Sequence, residues 1–351
     1  MPDYITTALA LIVLLGTLVL FHEVGHFAMA KLFRIRVDEF AFGFGPKWIR
    51  LFKRGDTEYT IHPFPLGGFV KLAGMDPGEE DVPNGFNTKP VWQRIVVYFA
   101  GPLMSFALAA LVFSLMGVTT GLPVTGDIVN RVEFVYPDTA AEKAGLRTAD
   151  YIIAIDGEAI SSGERMVKII HGSPGKALRL TVKRGEKVFT AYATPKAEEV
   201  DGKMIGLLGF MPTPKLQRIG VGESVLYGMD RTRVFVVGIV TVIFSKEVGE
   251  NVGGPIAIAD ATKTSVKRGV FGFLQLMAIL SLSLGVINLL PIPILDGGAI
   301  VLLAAEGVRG RRLSPRTLEV AQRIGLLLIA AIFFSIMYLD LSRLVDGRLF
   351  R

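Results

Sequence analysis

The chain has no cysteine, which excludes disulfides, thioether-linked haem and thiolate metal ligands; any metal must be held by histidine and carboxylate. Histidine is scarce as well, with only His22, His26, His62 and His171 among 351 residues. Charged residues make up 20% against 51% hydrophobic ones, and the mean hydropathy of +0.48 is too apolar for an ordinary soluble protein. The formal net charge of +6 is modest for this length. Lysine and arginine gather between apolar stretches instead of forming one basic face, so no nucleic-acid partner is expected and topology is their better use. Basic residues are also missing before Ile5, and no small-residue cleavage site precedes His22. The opening apolar run therefore reads as a retained span and not as a cleaved signal peptide.

Four stretches are long enough to cross a hydrocarbon core, which takes about 20 helical residues. They run roughly Ile5 to Phe33, Ile95 to Leu122, Val270 to Leu303 and Ile324 to Val345. A fifth, Val234 to Phe244, is too short and follows Asp230, Arg231 and Arg233, so it reads as an interfacial helix. Asp340 and Arg343, near the end of the fourth span, are expected to snorkel to its outer surface. Residues 31–94 hold ten lysines and arginines from Lys31 to Arg94, and Arg309, Arg311, Arg312 and Arg316 precede the last span. The positive-inside rule sends both segments to the cytoplasm and leaves the N-terminus, residues 123–269 and the C-terminus outside.

The outer segment contains a module of alternating strands and short helices. Strands are expected over Ile128–Val135, Tyr151–Ile155, Ala177–Arg184 and Lys187–Thr194, helices over Ala140–Leu146 and Ser162–His171, and tight turns at Asp156-Gly157 and Gly185. This order, with A-x-x-A-G-L-x-x-x-D-x-I-x-x-I-D-G, resembles a PDZ domain of the bacterial type. Ala149 stands where glycine commonly precedes the aspartate. PDZ domains bind extended chain ends by adding a strand to a sheet edge.

His22-Glu23-Val24-Gly25-His26 is an H-E-x-x-H on an apolar helix. The i, i+4 spacing sets both imidazoles on one face, one turn apart, with Glu23 on the adjoining face within reach of a metal-bound water. A pair of surface histidines beside a salt-bridged glutamate would look the same in a soluble helix. Inside a membrane span such groups cost several kcal/mol each unless partnered, which favours function. A catalytic zinc needs a third protein ligand. His62 lies in a Pro- and Gly-rich loop and His171 in the outer module, so Asp296 is the better candidate. It follows Asn288-Leu-Leu-Pro-Ile-Pro-Ile-Leu, where Pro291 and Pro293 break the helix and Gly297 and Gly298 let the backbone turn. Asp296 could equally cap a helix beginning at Gly297, and the two roles are compatible. Both motifs fall in the inner part of spans running the same way, so the ligands can meet at similar depth.

H-E-x-x-H in the first span, a PDZ module between the second and third, and N-x-x-P-x-P-x-L-D-G in the third resemble the site-2 protease family of intramembrane zinc metalloproteases, in its bacterial RseP/RasP-like branch with a single PDZ domain. The resemblance implies a multi-span α-helical membrane protein of four transmembrane helices, with a membrane-associated β-hairpin sheet and an inserted α+β PDZ domain. It implies Zn²⁺ held by His22, His26 and Asp296, Glu23 as general base, and substrate-backbone contacts at Asn288. The sheet would be built from Phe42-Gly-Phe-Gly-Pro46 and a Pro65–Lys71 hairpin, whose Gly67 and Gly68 are candidate substrate contacts. Ser105 stands where the family commonly has asparagine, so an asparagine contact is not expected there. The expected organisation is residues 1–122 for the first two spans, 123–212 for the PDZ domain, 213–269 for interfacial linker helices and 270–351 for the last two spans. The implied activity is hydrolysis of peptide bonds within single-span membrane proteins, such as anti-sigma factors or remnant signal peptides, in a bacterial inner membrane. A catalytically inactive PDZ adaptor would not need all four site residues, and a metal transporter should show polar residues along a path, which the second span largely lacks.

Overall fold

The computed structural model describes residues 3–75, 82–119, 121–200, 202–245 and 252–345. The part of the expected linker at 246–251 lies outside the described residues. In chain order, α1 (Asp3–Leu32) leads to β1 (Val37–Phe44), β2 (Ile49–Arg54), β3 (Thr57–Ile61), β4 (Phe64–Leu72) and α2 (Val91–Thr119). Next come β5 (Leu122–Val135), α3 (Ala140–Lys143), β6 (Tyr151–Ile155), β7 (Glu158–Ala159), α4 (Gly163–His171), β8 (Leu178–Arg184) and β9 (Lys187–Ala193). β10 (Lys196–Val200), β11 (Lys203–Leu207) and β12 (Phe210–Gln217) follow. The chain ends in α5 (Val221–Ile243), α6 (Pro255–Lys267), α7 (Gly269–Asn288), α8 (Asp296–Arg309) and α9 (Pro315–Val345). The fold divides into two units, one built from residues up to Leu115 and from Val221 to Ser342, the other from Met116 to Gly220.

In the first unit, α1, α2, α7 and α9 are long and apolar enough to cross a membrane. The third span is shorter than expected. It stops at Asn288, because Pro291 and Pro293 cannot continue a helix, and a separate helix, α8, begins at Asp296. The fifth apolar stretch belongs to a helix of 23 residues, α5, whose Gly228 packs against Ala110 and Ser114 of α2 and whose Phe235 stacks on Phe113. Asp340 does not snorkel. It is fully buried in α9 and accepts the backbone N–H groups of Gly254, Ile256 and Ala257 at 3.0 to 3.1 Å, so it caps the start of α6.

A four-stranded sheet in the order β2-β3-β1-β4 leans on α1, with β1 and β3 parallel and the other pairs antiparallel. Gly16 of α1 admits the Phe42 ring, and a Cβ there would come 3.0 Å from it. The Pro65–Lys71 segment is one strand, β4, at the sheet edge, and its partner is β1. The hairpin joins β2 to β3 instead, turning at Gly55.

The second unit is a six-stranded sheet in the order β12-β5-β6-β8-β9, with β7 pairing β6 and α3 and α4 packed on it. Thr139 and Ser162 cap α3 and α4 by accepting from Glu142 N–H and Arg165 N–H. Its core is Val132, Ile152, Ile155, Met166, Leu180 and Val182. Beyond the strands legible in the sequence, β12 pairs with β5, and β10 with β11. Ala149 takes a left-handed backbone, φ +72°, just before the buried Asp150, which binds Arg184 at 2.7 Å.

Candidate metal centre

The H-E-x-x-H lies in the second half of α1, and the helix spacing brings His22 and His26 to the same side, ring centroids 5.0 Å apart. Both face α2. Its backbone can come this close because α1 has Gly25 against Ala100 O and α2 has Gly101 under the imidazoles. A Cβ on Gly101 would collide with His26 and stand 2.8 Å from His22 Nε2, so the space between the two Nε2 atoms exists only because this residue is glycine.

The ring orientation is set by the same helix. His26 Nδ1 lies 2.8 Å from Val97 O and donates to it, while His22 Nδ1 lies 3.0 Å from Ser105 Oγ. With Nδ1 donating, each Nε2 keeps its lone pair for a metal. Ser105 is fully buried, and its backbone oxygen accepts from Ser281 Oγ of α7 at 2.7 Å.

Asp296 arrives from the broken helix. Leu295 N–H donates to Ile292 O at 3.0 Å, closing a turn with Pro293 second and Ile294 third, the position that demands positive φ. Ile294 is at φ +97°, a strained setting for a β-branched side chain. Gly297, Gly298 and Gly325 admit the carbonyls of Leu289, Ile292 and Pro293, leaving no room for a methyl at any of them. The N-cap of α8 is Leu295, and Asp296 is the first residue of the helix itself. Its carboxylate instead points Oδ2 to within 3.1 Å of His22 Nε2 and 3.5 Å of His26 Nε2. Zinc bonded at about 2.0–2.2 Å to tetrahedral ligands separates them by roughly 3.3–3.5 Å, so this donor set fits a His₂-carboxylate zinc site.

Residues 10–332 match Peptidase family M50. The chain belongs to that family. It is 30% identical to the regulator of sigma-W protease RasP of Bacillus subtilis, over 97% of this chain and 99% of that one. To the zinc metalloprotease RasP of Geobacillus kaustophilus it is 29% identical, over 98% and 99%. A PDZ domain of an SdrC-like protein from Listeria monocytogenes aligns with 26% of this chain and 93% of its own, at 29% identity and a TM-score of 0.22.

Glu23 completes the M50 motif: its carboxylate lies within 4.8 Å of the ligand nitrogens of both histidines. The Val70 amide of β4 faces that carboxylate, and a Cβ on Gly68 would come 3.9 Å from Glu23 Cγ. The edge strand thus runs directly beside Glu23. Gly67 and Gly68 also have packing reasons to be glycine, since the Phe44 ring covers the first and Ala41 O crowds the second. Asn288 ends α7, half-buried, and is not among the groups touching the imidazoles. His62 hydrogen-bonds Gly45 O at 2.7 Å within the sheet.

Sequence reasoning missed Val97, Gly101 and the bond from Ser105 to His22. Their signal is present: Arg94, Val97, Tyr98, Gly101 and Ser105 recur at helical spacing and share one face of α2. In the second unit, a cavity of about 1110 Å³ opens between the end of α4, with Val167, Ile170 and His171, and the Leu208–Phe210 segment leading into β12.

Proposed function

We propose that His22, His26 and Asp296 hold the zinc of this protease, that Glu23 is its general base, and that β4 presents the substrate. The chain is an integral membrane zinc metalloprotease of the M50, or site-2 protease, family, which hydrolyses peptide bonds within membrane-spanning segments. The observation that carries the site assignment is the approach of one Asp296 oxygen to both imidazole Nε2 atoms, at 3.1 and 3.5 Å.

Zinc bound there supplies Lewis-acid activation of a water and of the scissile carbonyl. Glu23 takes the proton of the attacking water and returns it to the leaving amine. The Nδ1 bonds to Ser105 and Val97 O hold both rings in the ligating tautomer. A helical substrate hides its backbone groups in internal hydrogen bonds, so it unwinds before attack. Its freed amides and carbonyls then pair with the outer edge of β4 at Gly67 and Gly68, with Asn288 contacting the substrate backbone.

The substrates are single-span membrane proteins, anti-sigma-factor-like chains or signal-peptide remnants; the sigma-W regulation in the printed name of the Bacillus relative supports the first. The cavity beside α4 receives a chain end of the trimmed substrate. The protein lies in the bacterial inner membrane, and the basic loops support an orientation with the N-terminus and PDZ domain outside and the metal centre toward the cytoplasm.

Co-expression of the wild type and Glu23→Gln with a panel of tagged single-span substrates tests the assignment. The wild type should release fragments that the variant does not, while both retain zinc. Identical fragments from the two proteins, or no fragments from either across the panel, would overturn it.

A further inference from the structure

We propose that Arg94 and Glu306 are positioning residues for the metal centre, their buried ion pair setting the helix that begins at Asp296 against the helix that aims both imidazoles. Arg94 Nη2 lies 2.9 Å from Glu306 Oε2, and the two side chains are only 6% and 7% exposed. Glu306 Oε1 also accepts the Leu313 N–H at 3.0 Å, tying the end of α8 to the chain that follows. Arg94 Nε is buried without a hydrogen-bond partner among the described residues.

Three features separate this pair from an ordinary stabilising contact. A buried ion pair seldom adds stability over apolar residues of the same volume, and an unpaired buried N–H lowers its worth further. Arg94 also lies on the face of α2 that carries Val97, Gly101 and Ser105, the residues that orient and clear space for His22 and His26. Glu306 lies ten residues beyond Asp296 on α8, about 15 Å at 1.5 Å per residue. The near end of α8 is fixed by the glycine contacts at 297, 298 and 325, and the far end is fixed by Arg94. With the near end as pivot, a tilt of about 5° that carries the Glu306 end roughly 1.3 Å turns the Asp296 carboxylate through the same angle, about 0.3 Å at its oxygens. Metal–ligand distances tolerate only about 0.2 Å, so a tilt of that size is felt at the metal.

The inference rests on the assignment of His22, His26 and Asp296 as zinc ligands. The full-length protein in detergent is compared as wild type, Asp296→Ala, the double variant Arg94→Met with Glu306→Leu, and Glu306→Asp. Zinc retention is read by competition with a chelator of known affinity, the thermal midpoint reports folding, and kcat and KM are measured on one cleaved substrate. The double variant, whose apolar side chains fill the same space, is expected to keep its thermal midpoint, to lose zinc affinity by about 10- to 100-fold, and to lose kcat with KM unchanged. Glu306→Asp keeps the charge but shortens the reach by one methylene, and should lose zinc affinity several-fold in a folded protein. Wild-type zinc retention in either folded variant, with Asp296→Ala losing zinc, overturns the positioning role alone. Wild-type retention in Asp296→Ala overturns the ligand assignment itself.

Discussion

Gly101→Ala is the sharpest test of the proposed metal centre, because it replaces neither a proposed ligand nor Glu23. The added methyl would collide with His26 Nε2, stand 2.5 Å from His26 Cε1 and 2.8 Å from His22 Nε2. Carbon contacts relax at about 3.5 Å or more, so the His26 ring must withdraw by roughly 1 Å. Metal–ligand distances tolerate only about 0.2 Å, so one ligand is effectively lost. The expected fall in zinc affinity is at least about 100-fold, the upper end of what outer-shell changes cause. Folding should survive, since alanine favours a helix interior over glycine by about 1 kcal/mol, which offsets part of an overpacking cost of about 1–3 kcal/mol. Zinc per chain after dialysis against a graded chelator series, with thermal unfolding in parallel, gives the answer. A folded Gly101→Ala protein that keeps one zinc at wild-type chelator concentrations and cleaves at the wild-type rate would refute the placement of the metal between these nitrogens.

Ser105→Ala removes the acceptor of His22 Nδ1 and should weaken zinc retention by about 10-fold in the same competition assay, with unchanged retention counting against the orienting role. Ala149→Gly relieves a left-handed alanine at φ +72° and should stabilise the second unit against thermal unfolding by about 1 kcal/mol or less once the added chain entropy is counted, leaving cleavage untouched. Glu164 is held below the usual carboxylate range by hydrogen bonds from Ser162 and the Ile128 amide. Its stabilisation is complete above the unfolded value near 4.5 and is lost as pH falls through the lowered folded value. Glu164→Gln should therefore flatten the acid limb of the domain's stability profile, and an unaltered limb in thermal melts from pH 7 down to about 3 would show that the bond does not matter.

The spans, the H-E-x-x-H and Asp296 were legible because each leaves a one-dimensional trace: an apolar run, an i, i+4 spacing, a carboxylate between helix breakers. The strands flanking α3 and α4 were legible for the same reason, through alternation and turn residues. β12 was not, since Pro212 and Pro214 argue against a strand and its partner, β5, lies more than 70 residues away. Asp340 misled for a related reason. A charge near the end of a span looks like a snorkelling one, and nothing local announces that the first amides of α6, over 80 residues earlier, would need an acceptor there. The family resemblance suggested a hairpin for Pro65–Lys71, yet Gly67 and Gly68 serve the close approach of the Phe44 ring and Ala41 O in a single strand whose register shifts opposite Phe42 and Phe44.

The glycines of the membrane unit share one logic. Between helices in lipid there is little hydrophobic drive to associate, so close packing depends on small residues that let backbones meet. Gly25 rests on Ala100 O and Gly325 on Pro293 O, while Gly101 stands open to the two imidazoles. The first contact fixes α1 on α2, the second fixes the turn before Asp296 on α9, and the third keeps a side chain out from under the two imidazoles. Because backbone meets backbone at the first two, the spacing of the backbones that carry the histidines and the aspartate depends little on side-chain rotamers. The proposed zinc site needs that rigidity, since Asp296 is brought to the His22–His26 pair of α1 only by tertiary contacts.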